Sequence, residues 1–355
     1  MDSAKYIGMD VHKETISIAV LNSSGKLVMQ SVIETKATTI VENVRGLRGD
    51  LHVTLEEGTW AAWLYDLLRP HVNEVLVCDP RKNALLKAGN KSDQIDARKL
   101  AELLYLNKLT PVYHGEHGVR ALKELSRSYL TISGDVVRVM TRLKAVYRSW
   151  AIACAGKQVY APRYRAQWLG KIREAGVRRR AEFYYQQLDE LRSLRQQVRR
   201  ELLAESAKHQ ASKLLCQIPS IGPIRAAQLI AILQPPHRFR TKRQLWAYGG
   251  LAIETHSSAD PRYVDGQLRP SKKQVSLRGL NRNHNHELKN IFKGAAIIAA
   301  TKAGPFQEFY AALVAKGIRP EMARLTLARK IAAITLIVCK KGVRFDAQHL
   351  NPQTA

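Results

Sequence analysis

Two hydrophobic periods divide this chain near residue 110, and together they restrict it to a small set of architectures. In the first stretch, short apolar runs alternate with amphipathic ones. KYIGMDV, TISIAVL and LVMQSVI read as a three-strand meander, with NSSGK as a turn. TTIVENVRGL then reads as a helix, and LHVTLEEGTW as a strand broken at Gly58. AAWLYDLLRP is a helix stopped by Pro70, NEVLVCDP a strand, and KSDQIDARKLAELL a further helix. That order specifies a mixed α/β sheet with helices on its faces. Beyond it, Leu122, Leu125, Tyr129, Ile132, Val136, Val139, Leu143, Val146 and Trp150 recur at spacings of three and four. Tyr184, Leu188, Leu191, Leu194, Val198 and Leu202 repeat the pattern on a second helix over about 179–208. Two such helices read as an antiparallel coiled coil, within one chain or between chains. The sequence divides accordingly into an α/β domain at 1–110, a helical linker at 111–212 and a mostly α-helical domain at 213–355.

Charge follows the same division. Lys and Arg number 57 against 30 acids, a formal net charge of +27. Residues 1–110 hold 14 basic and 14 acidic side chains, so the whole excess lies in 111–355, with 43 against 16. A neutral head on so basic a body calls for a polyanionic partner, nucleic acid above all. Four cysteines stand far apart without a C-x-x-C pair, which excludes a zinc ribbon or a disulfide framework and reads as reduced thiols. MDSAKYIGMD has no basic and apolar leader, and IAAITLIVC is too short to span a bilayer. A cytoplasmic protein without a membrane partner is expected.

The head carries its acids at telling places. Asp93 and Asp96 lie three apart at the start of a helix and share one face. Aspartate at a helix start also caps amides and meets the positive end of the dipole. Asp10 on the first strand and Glu56 at the end of the fourth add two more carboxylates, with Glu57 as the alternative to Glu56. Four oxygen donors converging at one sheet edge could hold Mg²⁺ or Mn²⁺, and two such ions can clamp both oxygens of a phosphodiester exchange.

In the basic body, KLLCQIPSIGPIRAAQLIAILQ resembles a helix-hairpin-helix, with Ile221 and Gly222 at the turn and Ser220 at its usual first glycine. Such a turn presents amides and a helix N-terminus to phosphate. RPSKKQVSLRGLNRNHNHELKNIFKGAA holds Lys272, Lys273, Arg278 and Arg282, suited to phosphates and base edges. His284 and His286, two apart, are poorly spaced for a shared helical metal site. Helices at 287–303, 305–316 and 320–340 complete the domain.

The phrases GMDVHK, LEEGTW and KSDQIDARKLAELL resemble the motifs of the DEDD transposases of bacterial insertion sequences, on an RNase H/RuvC-like nuclease fold. The resemblance runs from Tyr6 to about Lys341. It implies an acidic quartet of Asp10, Glu56, Asp93 and Asp96 that binds Mg²⁺. In FRTKRQLWAYGGLAIETHSSAD it places a serine nucleophile downstream of Gly250-Leu251, at Ser258 or Ser257. This chain lacks the family's proline after Gly-Leu, and Ala259 stands where a glycine is expected. The resemblance further implies strand exchange through a serine–DNA link, a structured noncoding bridge RNA as guide, and assembly as dimers to tetramers. The quartet of one protomer would then meet the serine of another. A hydrolytic, junction-resolvase-like nuclease would need the acids but no serine. An architectural DNA-binding protein would need neither.

Overall fold

Why the first strand can lie at the centre of a sheet is written in its fourth residue. Gly8 sits where a helix crosses so closely that an added Cβ would meet Ala97 O at 2.1 Å and Ala101 N at 2.5 Å. The computed structural model describes residues 4–83, 92–112, 114, 119–256, 262–269 and 276–350. The chain forms two units, Met1–Glu116 and His117–Ala355.

In the first unit, β1 (Lys5–Val11), β2 (Thr15–Leu21) and β3 (Leu27–Glu34) form an antiparallel meander. After α1 (Ala37–Arg45), β4 (Leu51–Glu56) joins β1 in parallel. After α2 (Ala61–Leu68), β5 (Glu74–Cys78) joins β4 in parallel. The order across the sheet is β3-β2-β1-β4-β5, with β1 in the middle. Side chains alternate between the faces, as the strand period of two requires. Ile7, Met9, Val53 and Leu55 pack with Ile40, Val44, Leu64 and Leu68 of α1 and α2. On the other face, beyond a single turn α3 (Pro80–Asn83), lies α4 (Asp93–Tyr105). Its Leu100, Leu103 and Leu104 pack with Cys78, Tyr6 and Leu76. The strands and helices expected of residues 5–105 are therefore present in the expected order.

The second unit begins with α5 (Arg120–Arg148), α6 (Arg165–Gly170) and α7 (Ala175–Ala207). It continues through α8 (Gln210–Leu215), α9 (Pro223–Leu233) and α10 (Lys242–Tyr248). It ends with α11 (His286–Thr301), α12 (Pro305–Ala315) and α13 (Pro320–Lys341). α5 and α7 pack against each other within the chain. One end of the pair, through Leu122 and Leu202, joins the main core of α8, α9, α11 and α13. The other end closes over its own core of Val136, Val139, Leu143, Tyr147, Trp168, Ala181, Tyr185 and Leu188. Tyr185 rather than Tyr184 is buried there, and Leu194 and Trp150 are exposed, so the apolar seam is shorter than the sequence pattern. The stretch between the helices is tied down by polar contacts. Tyr185 donates to Val159 O at 2.9 Å, and Arg165 grips Asp189 with both terminal nitrogens at 2.7 and 2.8 Å.

Between α10 and α11 the sequence offers a serine-bearing segment and a basic run, neither with a strand pattern. The chain instead forms β6 (Ile253–His256) paired with β9 (Ser276–Leu280), and β7 (Arg262–Val264) paired with β8 (Gln267–Arg269) around Asp265-Gly266. Both turn residues have positive φ, the geometry a tight hairpin needs. Among the cysteines, Cys78 and Cys154 are buried, but Cys216 is exposed. No helix among the described residues is long and apolar enough to cross a membrane.

Candidate functional site

Two of the acids follow the last paired residues of neighbouring parallel strands: Met9 pairs with Leu55, and Asp10 and Glu56 come next on their strands. Alternation puts both on the face that α4 covers, because Met9 and Leu55 face the other way. The close approach at Gly8 then brings the first turn of α4 to the same end of the sheet. Asp93 opens that turn and Asp96 follows one step along it.

Capping does not account for these aspartates. Ser92 is the N-cap, its hydroxyl accepting from Ile95 N at 3.3 Å. Asp93 turns its carboxylate elsewhere: His12 Nε2 lies 3.4 Å from Asp93 Oδ1 and 3.2 Å from Asp10 Oδ2. The ligand atoms of Asp10, His12 and Asp93 all fall within 4.8 Å of one another, in a geometry that could hold a cation. Asp10 is the sheltered member, with 19% of its side chain exposed against 61% for Asp93. A strand residue, a loop residue and a helix residue thus share one point.

Glu56 and Glu57 part ways at the end of β4. Glu57 pairs with His114, whose ring lies 5.3 Å from that of Tyr65. Glu56 lines a cleft of about 290 Å³ together with His12, Lys13, Thr59 and Trp60. That cleft opens past the C-terminal ends of β1 and β4, where open α/β sheets place their ligands. His12 belongs both to the carboxylate pair and to this cleft. The signal for it in the sequence is GMDVHK, which puts His12 two residues after Asp10, the spacing that returns to the same side of a strand.

In the second unit, Ser220 has a φ of 71°, in the left-handed region natural to glycine. Ile221 is buried and its amide donates to Ile218 O at 3.0 Å, so its side chain and N–H are both engaged within the protein. Gly222 is the N-cap residue of α9, followed by Pro223 at the first helical position. Gly250 has a φ of 63°, and a Cβ there would lie 2.4 Å from the ring of His284. Burial, with Lys289 nearby, holds the His284 imidazole below its ordinary range. Ser257, Ser258, Lys272 and Lys273 lie outside the described residues, between β6 and β9. Arg278 is on β9, and Arg282 is exposed just after it.

A cationic cluster complements these positions. Lys123 on α5 is held below its ordinary range by burial first, then by Arg238, Arg127 and Arg120. Arg238 comes from the turn after α9 and lies over the rings of Phe239 and Tyr248, at 4.4 and 4.8 Å. Arg120, Lys123 and Arg127 lie close in sequence on one helix, whereas Arg238 reaches them from a distant turn.

Known proteins resemble the chain along most of its length. A family model described as transposase, for the DEDD type of IS110, matches residues 7–150. A second, described as the transposase IS116/IS110/IS902 family, matches residues 212–311. The transposase for insertion sequence element IS1533 of Leptospira borgpetersenii is 32% identical over 151 residues, which is 39% of this chain and 42% of that protein. The insertion element IS116 uncharacterized 44.8 kDa protein of Streptomyces clavuligerus is 20% identical over 380 aligned residues, covering 92% of each. The chain therefore aligns with less than half of the first relative and with nearly all of the second. Two transposase family models thus match in series, over residues 7–150 and 212–311, and both relatives belong to insertion elements.

Proposed function

We propose that this protein cuts and rejoins the DNA strands of a mobile element through a serine–DNA phosphodiester, assisted by a divalent cation held by Asp10, Glu56, Asp93 and Asp96. The observation that carries this reading is the meeting of Asp10 and Asp93 around His12, since two carboxylates drawn that close favour a cation between them. The donor set suits the ion: carboxylate oxygens fit Mg²⁺ or Mn²⁺, and an imidazole nitrogen beside them tilts the preference toward Mn²⁺. A bound ion would polarise the phosphate and offset the charge that develops on it. Glu56 is the fourth donor in preference to Glu57, which His114 occupies. The strand order β3-β2-β1-β4-β5, with its acid on the central strand, supports an RNase H/RuvC-like assignment for the first unit.

Ser258 or Ser257 supplies the nucleophile. Its oxygen bonds to phosphorus as the bond to the departing strand breaks, and its proton ends on the departing hydroxyl. The link conserves the energy of the broken bond, so a strand hydroxyl can reverse the step and reseal DNA without ATP. The basic second unit grips backbones through Lys272, Lys273, Arg278, Arg282 and the helix-hairpin-helix turn at Gly222, with the α5–α7 pair as a coiled coil. A bridge RNA would select sequence by base pairing, and a homo-oligomer of two to four chains would bring acids and serines of different protomers together.

The test is a covalent trap on a nicked DNA substrate carrying the element ends. Wild type should leave protein on DNA after denaturation, and the link should vanish in Ser258→Ala or Ser257→Ala and in Asp10→Asn. Free DNA ends from wild type, with full cutting in the double serine variant, would replace this reading with hydrolysis.

A further inference from the structure

We propose that Trp60 is a stacking platform for one unpaired nucleobase of the strand whose phosphate lies at the acids. The inference rests on the reading of those acids as the site of strand cleavage. α2 buries Ala61, Leu64 and Leu68 against the sheet but leaves Trp60 and Trp63 38% and 36% exposed. Their rings meet edge to face, with centroids 5.9 Å apart and planes at 64°. Tryptophan is the side chain with most apolar surface to lose, so two of them at the start of a short helix call for a flat partner.

The surroundings identify the partner. Trp60 shares its cleft with Glu56, His12, Lys13 and Thr59, over a floor that includes Val11, Leu55 and Ala61. An aromatic face among a carboxylate, an imidazole, an ammonium and a hydroxyl suits a base, whose ring stacks while its edge and sugar meet polar groups. The volume, about 290 Å³, lies at the lower end for ligand clefts and admits one nucleotide, not a duplex. Lys13, just after β1, lines the cleft with 88% of its side chain exposed and, among the described residues, only Glu14 at 4.0 Å, so its ammonium is available to an adjoining phosphate. A strand that must be exchanged has to unpair beside the cut, and stacking holds it open whatever its sequence.

The full-length protein is tested with a gapped DNA probe that exposes three unpaired bases, and with the matching continuous duplex. Trp60→Ala and Trp60→Leu should bind the gapped probe about tenfold more weakly and the duplex as wild type does, while Trp60→Phe should keep most of the affinity. A 5-iodouracil at the unpaired position should crosslink to the peptide containing Trp60. Equal Trp60 dependence with an RNA gap strand keeps the platform and assigns it to RNA. Unchanged binding by Trp60→Leu, or a crosslink elsewhere, overturns the proposal. Asp10→Asn separates the two readings: if it still cuts DNA the cleavage site is misassigned, whereas its loss of cutting beside a silent Trp60→Leu removes only the platform.

Discussion

Each unit of this protein crowds like charges at one point, and the two crowds have opposite sign. In the first, Asp10 and Asp93 converge on His12 from a strand and a helix distant in sequence. In the second, Arg120, Arg127 and Arg238 surround a half-buried Lys123. Neither arrangement follows from folding alone, because crowded like charges oppose the compact state. The first collects anions where a small cation would satisfy them, and the second collects cations where a backbone phosphate would. On the proposed reading, the contrast puts the cation site in the neutral unit, and the serine nucleophile and the grip on DNA in the basic one. The charge asymmetry of the sequence says the same thing at low resolution.

The most drastic way to break that division is to neutralise the first cluster. Asp10→Asn should lower strand cutting by on the order of 10²–10³-fold, the usual effect of removing one charge-stabilising group, and leave DNA affinity within about twofold. Gel-shift and cleavage assays on the same preparation check it. A parallel loss of affinity would mean that the acids hold the fold or the ligand, and the assignment of the cation site to this unit would fail.

His12→Ala should come next in size. An imidazole that ligates or orients a metal site is worth about 10–100-fold in metal affinity, and its nitrogen favours Mn²⁺ over Mg²⁺. Titration of the apo protein by Mn²⁺ electron spin resonance should therefore show weaker Mn²⁺ binding, with Mg²⁺ competition less affected. Identical losses for both ions would leave His12 as a neighbour that sets no preference.

Gly8→Ala tests how the acids are brought together. The new Cβ would collide with the backbone of α4 at Ala97 and Ala101, which cannot swing aside as a flexible side chain can. Overpacking of this kind costs about 1–3 kcal/mol. The helix that must shift carries Asp93, so the urea midpoint and metal affinity should fall together. A fall in stability with unchanged metal binding would show that the cluster tolerates a displaced helix.

How legible was this from the residues alone? The sheet was, because the strands have period-two apolar faces and end in turn residues, and Asp10 and Glu56 mark the ends of two of them. Capping was one reading of Asp93 at the helix start, yet the structure gives the cap to Ser92 and turns Asp93 toward His12. Tyr185 in place of Tyr184 shows the limit of a heptad count. The α5–α7 contact closes over Trp168 and Tyr147, so a connection with no period of its own decides which tyrosine is buried. Arg238 approaches Lys123 from more than a hundred positions along the chain, and no local pattern encodes such a meeting.

That meeting supplies the smallest effect and the sharpest contrast. Lys123 has its pKa lowered in the folded state, by burial and then by Arg238, Arg127 and Arg120, so the unfolded chain binds this proton more tightly. The sign follows: below the folded pKa the charge disfavours folding, and the penalty fades as pH rises through the folded value toward the unfolded one, roughly 10.4. Lys123→Met should therefore melt slightly higher than wild type at pH 7, and the advantage should shrink by pH 10. The same variant should bind DNA more weakly, with the slope of log affinity against log salt reduced by about 0.9, one phosphate contact. Stability gained and affinity lost in one substitution would mark the cations as gathered for a ligand. A variant that loses stability at pH 7 would make Lys123 a packing residue, and the symmetry between the two units would reduce to a difference in net charge.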